Sequence, residues 1–545
     1  MKKYIYISTV ILAILFSGCD SFLTPEPTDK YSEGIAFSSE ENAKLYINSF
    51  YSIISKYGLF GDGYLGACAY MDGLTDIAKA GGSTIGSNGA VANIYATNPD
   101  LITPDQNSMD IWTNAYLNIR LINEFLEGLA KSSLESTAKL RLEGEARFFR
   151  GYLYFLLMRN HGSVVLISEL TSDPIRPRSS ANECWDFIET DLDFAATNLP
   201  KEWGAEDQGR ISKGAAYAMQ SRAMLFAERW QIAYNAATEV LKLEEEGIYV
   251  LGEYEDAFGS YFTNGNKESI LEFRFNYPQL VHNYDRMMSP GGDYLNNGGD
   301  LQPTQELIES YERKGGGVVD WSTWHNEGVT TTPPWEDLEP RFHATILYNG
   351  CTWKDRTIQP YDGGADGWTA YPPAAGSNRG ASVTGYYLKK YVDETHTDLV
   401  NRKSSQPYVE IRLAEVHLNY AEAAYRLDKP IDANKGMNAV RNRAGLNTLS
   451  LSGEPLLDQI KKERKIELAG EGHRYWDLRR WKDAVNTITG LYVHGLKVSK
   501  IGDSFRYDYI VCDDLPRKFP EKLYQFPILS SERVNNPACE QISGW

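Results

Sequence analysis

Two stretches of the chain repeat the same paired-helix pattern, and this repetition restricts the fold more than any other feature of the sequence. In each stretch, small and large apolar residues alternate at spacings of three and four, and a second amphipathic helix follows at once. The first pair carries Ala216, Met219, Ala223, Phe226 and Trp230, then Ala233, Ala237 and Val240. The second carries Ile411, Ala414, Leu418, Ala421 and Tyr425, then Ala433, Met437, Val440 and Ala444. Such faces nest in tetratricopeptide-like hairpins, so we predict a mostly α scaffold of helical hairpins.

Other helical patterns extend this scaffold toward the N-terminus. A first helix is predicted around Glu41 to Ser55, and a longer helical pattern runs from Met109 to about Met158. One stripe of the longer pattern contains Leu140, Gly144, Phe148, Gly151, Phe155 and Met158. Because glycine has no side chain, its positions in this stripe would let another helix approach closely.

Between Tyr277 and Pro407 the helical pattern stops. Gly- and Pro-rich runs such as "SPGGDYLNNGGD" and "YDGGADGWTAYPPAAGSNRG" carry Trp and Tyr among Asn and Asp, and a shorter stretch of similar character runs from Gly58 to Asp105. Long irregular segments in a compact protein are functional or disordered, and disordered segments are poor in aromatic residues. We therefore predict that long irregular loop insertions on the scaffold form a ligand-binding face.

The first residues predict export. "MKK" is followed by the apolar run "YIYISTVILAILF", which is short for a transmembrane helix, and then by Ser17, Gly18 and Cys19. This order is typical of a bacterial lipoprotein signal, in which the Cys19 thiol receives a diacylglyceryl group and becomes the new N-terminus. Two or more acyl chains give stable membrane attachment, so we predict a lipid-anchored protein. The alternative is an ordinary cleaved signal with an incidental cysteine.

These patterns divide the chain into five parts. We expect a signal peptide at 1–18, a lipidated tether at 19–40, a helical part at 41–276 that contains the loop 58–105, the irregular loops at 277–407, and a C-terminal helical hairpin region at 408–545.

Charge and cysteine content exclude several classes of partner. The formal net charge is −18, and cleavage after residue 18 would also remove Lys2 and Lys3. So acidic a chain has no electrostatic footprint for nucleic acid and no basic face for anionic lipid. The five cysteines beyond Cys19 are widely spaced, so we expect neither a disulfide framework nor a zinc site, and we leave a single disulfide open.

The segment "ERKIELAGEGHRYWDLRRW", from Glu463 to Trp481, concentrates acids, arginines, a histidine and aromatics. A histidine beside an aspartate and several arginines would suit an acid/base pair with an anion clamp. The same residues would equally serve as internal ion pairs of a helical core, because Glu463 and Glu467 are spaced one helical turn apart. Trp476 and Trp481 are natural core anchors. We expect Arg474, Asp477, Arg479 and Arg480 to tie helix ends to neighbouring loops.

Five motifs in order resemble the SusD/RagB family across nearly the whole chain. They are the lipobox with "CDSFLTPEPTD", the helix "GEARFFRGYLYFLLMRNHGSVVLI", the pair "EIRLAEVHLNYAEAAY" with "NAVRNRAGL", the segment "IKKERKIELAGEGHRYWDLRRW" and the ending "FPEKLYQFPILSSERVNNPACEQISGW". The resemblance implies a SusD-like fold and a nutrient-uptake lipoprotein of the outer membrane that faces the cell surface. It further implies capture of a glycan, or in some members a peptide, for a SusC-like TonB-dependent transporter. It also implies that the segment at 463–481 is a fold signature rather than an active site.

Glycan binding needs flat aromatic plates beneath the sugar ring and polar groups around its edge. The predicted plates are Trp321, Trp324, Trp335, Trp353 and Trp368, followed by Tyr95, Tyr294 and Tyr371. The predicted edge groups are Asp72, Asn296, Asn297 and Asp366, which stand in Gly-rich turns. The alternative for each tryptophan is that it pins its loop to the scaffold.

No cofactor and no catalytic residue is predicted, because the metalloprotease, phosphate-binding and nucleophile-elbow motifs are absent from the sequence. Structural calcium at Asp72 and Asp76 stays open. Two other functions are carried as alternatives. A secreted glycoside hydrolase would use a pair of carboxylates, and a helical-repeat assembly lipoprotein of the outer membrane would bind no glycan.

Overall fold

The computed structural model describes residues 33–60, 69–81, 88–258, 265–295, 297–373, 377 and 379–545. The signal peptide, Cys19 and most of the tether lie outside these residues. In the described part, no helix is long and apolar enough to cross a membrane.

Helices form most of the regular structure. They are α1 Glu33–Ala36, α2 Glu40–Asn48, α3 Ser52–Tyr57, α4 Asn88–Thr97, α5 Trp112–Lys131, α6 Ser136–His161, α7 Ala181–Asn198, α8 Lys213–Phe226, α9 Trp230–Glu245, α10 Tyr284–Met288, α11 Gln305–Ile308, α12 Pro340–Thr345, α13 Leu413–Arg426, α14 Pro430–Arg443, α15 Glu454–Glu467, α16 Arg474–Arg480, α17 Ala484–Ile488 and α18 Ser530–Asn535.

The strands are short and pair in twos. They are β1 Ala78–Ala80, β2 Ser269–Phe273, β3 Leu301–Pro303, β4 Ile346–Leu347, β5 Thr352–Trp353, β6 Arg356–Thr357, β7 Tyr387–Leu388, β8 Tyr408–Arg412, β9 His494–Ile501 and β10 Ser504–Val511. The antiparallel pairs are β1 with β3, β2 with β8, β4 with β7, β5 with β6 and β9 with β10.

The helical-hairpin prediction is confirmed, and the two repeats share their turn geometry. Helix α8 turns into α9 at Glu228, with φ 57°, and α13 turns into α14 at Asp428, with φ 56°. In each turn the next residue donates its backbone N–H to a carbonyl five positions back, from Arg229 to Met224 and from Lys429 to Ala424, both at 2.9 Å. The same left-handed turn therefore closes both hairpins.

Several helix boundaries differ from the predictions. The helix predicted around Glu41 to Ser55 is α2 and α3, separated by a 3₁₀ turn at Ser49–Tyr51, and Trp230, placed in the stripe of the first helix of its pair, begins α9. Ile411, placed in the helical stripe, lies in β8 opposite Leu271 of β2. The run from Tyr408 to Ile411 is rich in aromatic and β-branched residues, which favour an extended chain, so α13 begins only at Leu413. The pattern from Met109 to Met158 is two helices, α5 and α6, separated by a short loop after Lys131.

The charged segment at 463–481 forms buried ion pairs inside the scaffold. Glu467 is fully buried and accepts hydrogen bonds from the guanidinium groups of Arg341, Arg412 and Arg443. Asp477 accepts from Arg464 at 2.9 Å and from Arg480 at 2.8 Å. The structural interpretation of this segment therefore agrees with the geometry.

The four described cysteines beyond the N-terminus, Cys184, Cys351, Cys512 and Cys539, are free thiols. Cys68 lies outside the described residues.

Candidate ligand-binding face

The hairpin of β9 and β10 organises the irregular loops. Val329 pairs with Tyr507 on the free edge of β10, with backbone N–H to oxygen distances of 3.0 and 2.7 Å. Tyr361 forms a parallel bridge with Val498 on the free edge of β9. The hairpin therefore lies between two parts of the loop region 277–407.

The strand register gives the hairpin a buried side and a polar side. Leu496, Val498 and Tyr507 are buried against the core. Because side chains alternate along a strand, Lys497 and Ser499 point the other way, opposite Asp508 and Arg506 of β10. We call this second side the outer face of the hairpin; Lys497, Ser499 and Arg506 on it are half-buried.

Trp368 joins the outer face beside β9. The ammonium nitrogen of Lys497 lies 4.2 Å from the centroid of its ring, within the range of a cation–π contact. Its loop is fixed by a backbone bridge to Ser382. The indole is half-buried, and its N–H has no acceptor among the described residues. Trp368 is thus a fixed aromatic ring that still reaches the surface.

Tyr371 stands near the base of the same hairpin. The ammonium nitrogen of Lys79 lies 3.4 Å from its ring centroid and donates to Asp513 at 2.8 Å. Asp513 in turn accepts from the backbone N–H of Val493, which directly precedes β9. Burial, with added repulsion from Asp514 and Asp513, raises the pKa of Tyr371 to about 12. The half-buried phenol therefore stays neutral to higher pH than an ordinary tyrosine.

Lys79 brings the first irregular region to this face. It lies in β1, which pairs with β3 so that Lys79 stands opposite Gln302. The irregular regions around 58–105 and 277–407 therefore meet through the pairing of β1 with β3.

Three of the five predicted tryptophan plates are covered. Trp321, Trp335 and Trp353 are 4%, 2% and 1% exposed and belong to the main hydrophobic core. Trp353 also donates its indole N–H to Asp293 at 2.7 Å. Rings without an exposed face cannot stack on a sugar, so this geometry assigns them to the alternative role of pinning loops to the scaffold.

Trp324 and Tyr294 keep partly exposed rings. Trp324 packs edge-on against Trp321, with 5.7 Å between ring centroids, and donates its indole N–H to the Thr331 carbonyl at 3.0 Å. Tyr294 lies 5.6 Å from the guanidinium carbon of Arg286. No contact among the described residues joins either ring to Trp368 or Tyr371.

The remaining predicted contacts lie mainly inside the protein. Tyr95 is 8% exposed, and its hydroxyl accepts from the backbone N–H of Ser108 at 3.2 Å. Asn297 is half-buried and donates to the carbonyls of Tyr294 and Leu295. Asn296 lies outside the described residues.

Asp366 is a loop clamp rather than an exposed edge group. It is fully buried and accepts from both terminal nitrogens of Arg356, at 2.9 and 2.6 Å. Arg356 also binds Asp293, at 2.8 and 2.6 Å. One guanidinium therefore ties together two loops of the 277–407 region, and the Asp366 carboxylate faces inward.

Asp72 and Asp76 are likewise internal. Asp72 is fully buried and accepts from the Gly470 backbone N–H at 2.9 Å. Asp76 binds Arg474 at 2.8 Å and Lys465 at 3.0 Å, so two cations already neutralise its carboxylate. Across the described residues no group of three or more His, Cys, Asp or Glu side chains could hold a metal ion. This arrangement does not favour the calcium hypothesis at these two residues.

The buried Asp72 predicts a pH dependence of stability. Burial raises its pKa from 3.8 to about 7, against the opposing hydrogen bonds of Gly470 and Gly472. The pKa of Asp72 is higher in the folded protein than in the unfolded chain. Protonated Asp72 therefore contributes its full stabilisation below about pH 4, and this contribution is lost as pH rises through about 7. Between about pH 5 and pH 8 the loss is on the order of 2 to 3 kcal/mol.

In Asp72→Asn this loss should disappear. The free energy of unfolding of each protein is measured by urea denaturation at both pH values. Relative to wild type, the variant should be more stable at the higher pH than at the lower one. Asp503→Asn, which changes an exposed turn carboxylate, is the control. Parallel pH profiles for wild type and Asp72→Asn would contradict the assignment.

Four residues of this face were not predicted from the sequence: Lys79, Lys497, Ser499 and Arg506. The signal for three of them was present, since "VHGLKVSKIGDSFRYDYIV" contains two alternating runs around the turn residues Gly502 and Asp503. Nothing local to Lys79 indicated its contact with Tyr371, because that contact joins distant parts of the chain.

The chain is similar in sequence to known proteins. A sequence model of the SusD family matches residues 261–545, just over half of the chain. A second model, described as starch-binding and associating with the outer membrane, matches residues 74–225. A SusD-like protein of Bacteroides ovatus is 26% identical over 520 residues, covering 88% of this chain and 82% of that protein.

Solved structures show the same fold. A SusD-like protein from Bacteroides fragilis superposes with a TM-score of 0.81 at 28% identity, covering 96% of this chain and 100% of the other. A SusD-like carbohydrate-binding protein from the same species has a TM-score of 0.75 at 25% identity, covering 92% and 99% of the two chains.

Proposed function

This chain belongs to the SusD family, and from that premise we propose that it is a lipid-anchored, surface-facing protein of the outer membrane that captures a glycan and delivers it to a SusC-like TonB-dependent transporter. The glycan contacts lie on the outer face of the β9–β10 hairpin, with Trp368 and Tyr371 as stacking rings. Cys19 carries the lipid. The description of the second family model and the carbohydrate-binding relative support the ligand class and the membrane.

The observation that carries this proposal is the pair of half-buried rings at Trp368 and Tyr371, which still reach the surface. Each ring rests on a lysine ammonium, which fixes its position before any ligand arrives. Sugar rings present flat C–H faces bordered by hydroxyl groups, which match an aromatic plate with polar side chains nearby. Ser499 and Arg506 supply such polar groups on the same side of the hairpin.

Trp368→Ala is expected to weaken glycan binding by about 1 to 3 kcal/mol, with little change in melting temperature, because it removes a stacking surface without opening the core. The ligand is first identified by testing the mature chain from residue 19, without lipid, on an array of neutral and acidic oligosaccharides. Affinity for the retained glycan is then measured by calorimetry.

Trp230→Ala is the matched control. Trp230 is also half-buried and lies 5.3 Å from the guanidinium carbon of Arg426, but it stands at the start of α9 in the scaffold. Equal affinity of wild type and Trp368→Ala would contradict the assigned site, and release of reducing ends from the bound glycan would favour a hydrolase. Co-purification from outer membranes in mild detergent tests the transporter partner.

A further inference from the structure

A groove on the helical scaffold lies outside both irregular regions. Two adjoining cavities of about 120 and 330 Å³ share Gln208, Gly209, Arg210 and Glu272. Their walls are the connection from α7 to α8, the residues Ile248 and Tyr249 that follow α9, strand β2, and Asn48 and Tyr51 at the junction of α2 and α3. None of the lining residues belongs to the loops at 277–407 or to the β9–β10 hairpin. We call this feature the scaffold groove.

The connection that forms one wall is braced from within. Trp203 lines the groove, is half-buried, and donates its indole N–H to the Ile211 carbonyl at 2.9 Å. The backbone N–H of Lys213 donates to Pro200, also at 2.9 Å, and so closes the loop. Gly209 has φ 94°, a left-handed conformation that glycine adopts without strain. The aromatic wall is therefore fixed rather than loosely attached.

The charged side chains that line the groove show no excess of positive charge: the acids are Glu202, Glu206, Asp207 and Glu272, and the bases are Lys201, Arg210 and Arg274. Arg210, whose side chain is 9% exposed, binds Glu145 at 3.2 Å and Asn48 at 2.7 Å. Its other terminal nitrogen, Nη2, has no acceptor among the described residues. On the opposite wall, Glu272 accepts from the Ser269 hydroxyl at 2.8 Å.

A pair of hydroxyl groups completes the polar lining. The Ser212 hydroxyl and the Tyr249 hydroxyl lie 3.1 Å apart at the end of the groove formed by α8 and α9. Hydroxyl groups both donate and accept, so they suit a ligand that is itself rich in hydroxyls.

We infer that the scaffold groove is a second glycan subsite, which takes uncharged hexose units with Trp203 as the stacking ring. This inference rests on the proposed function and adds a separate contact region to it. An aromatic wall, a pair of hydroxyl groups and a carboxylate acceptor match the flat faces and hydroxyl edges of a sugar. Because Arg210 is already neutralised by Glu145, the groove offers no net positive charge to an acidic ligand.

A second subsite should raise the affinity for long glycans but not for short ones. When one end of a long glycan is bound at the hairpin face, the local concentration of its other end at the scaffold groove increases. The probes are neutral α- and β-linked hexose oligosaccharides of two to ten units on the array, followed by calorimetry with the longest retained chain. Trp203→Ala should lower affinity for that chain by about 5- to 100-fold. Binding to the disaccharide at the hairpin face should be unchanged.

Two variants separate ligand binding from loop folding. Because Trp203 braces its own loop, Gln208→Trp is tested as well; it fills the groove from an exposed position and leaves the brace intact. It should reproduce the loss seen in Trp203→Ala, at an unchanged melting temperature. In Trp368→Ala, the residual binding should disappear when Gln208→Trp is added.

The outcomes separate this inference from the function it rests on. If wild type retains a neutral glycan but Gln208→Trp binds every chain length as wild type does, the subsite is wrong and the proposed function stands. If wild type retains no glycan of any kind, the proposed function fails first. Retention of extended casein peptides by wild type, lost in Gln208→Trp, would overturn the sugar assignment in favour of peptide.

Discussion

Replacement of Glu467 by glutamine is expected to lower the free energy of unfolding by about 3 to 5 kcal/mol. The Glu467 carboxylate is fully buried and accepts from Arg412 at 2.6 Å, from Arg341 at 3.2 Å and from Arg443. Glutamine keeps the shape of the side chain but loses its negative charge. Its NH₂ group also faces guanidinium donors. Arg341, Arg412 and Arg443 therefore lose a shared acceptor and keep only Glu268, Glu339, Glu463 and Glu471 as partners.

Glu127→Gln is the matched control for this change. Glu127 pairs with Lys131 on the surface of α5, where its side chain is 42% exposed, and such pairs contribute about 0 to 1 kcal/mol. Urea denaturation of both variants measures the difference directly. Equal stabilities for the two glutamine variants would mean that the buried network does not hold the scaffold together.

Replacement of Trp335 by alanine is expected to cost about 3 to 5 kcal/mol of stability, because it opens a cavity in the core. The Trp335 ring is packed among Tyr348, Tyr507 and Tyr386, with ring centroids 5.0, 5.6 and 6.2 Å away. It therefore joins the loop region to the buried side of the β9–β10 hairpin. The folded fraction should bind glycan with unchanged intrinsic affinity.

Thermal melting and calorimetry on the same sample distinguish the two roles of tryptophan in this protein. Trp335→Ala should lose stability and keep affinity, whereas Trp368→Ala should do the reverse. Trp335→Phe, which keeps an aromatic ring, should recover most of the lost stability. A Trp335→Ala protein that melts like wild type but no longer binds glycan would return Trp335 to the list of stacking rings.

The helical scaffold could be predicted because its signal is local. Alternating small and aromatic residues at spacings of three and four are visible within each hairpin, and they led to α8, α9, α13 and α14. The error at Ile411 arose where a strand runs directly into a helix, since apolar residues there satisfy both patterns.

The ligand face could be predicted only as a region. Trp353 and Trp368 both stand in the irregular region 277–407, yet one is 1% exposed and the other is half-buried at the surface. The difference comes from distant partners, Asp293 for Trp353 and Lys497 for Trp368. Asp366 was misassigned for the same reason, since composition marks a turn but does not reveal the Arg356 that turns its carboxylate inward.

The pairing of the β9–β10 hairpin with earlier loops has a consequence for the order of folding. Gly328 donates to Asp508 at 2.6 Å across 180 residues of chain, so the loops that carry the tryptophans leave the ribosome long before the strands that hold them. Contacts so far apart in sequence form late and slowly. Helices α7, α8 and α9 pack on one another and are close in sequence, so this part can assemble earlier. During synthesis and export the recognition surface should thus be the last part to mature, which leaves its aromatic loops exposed to chaperones and proteases in the interval.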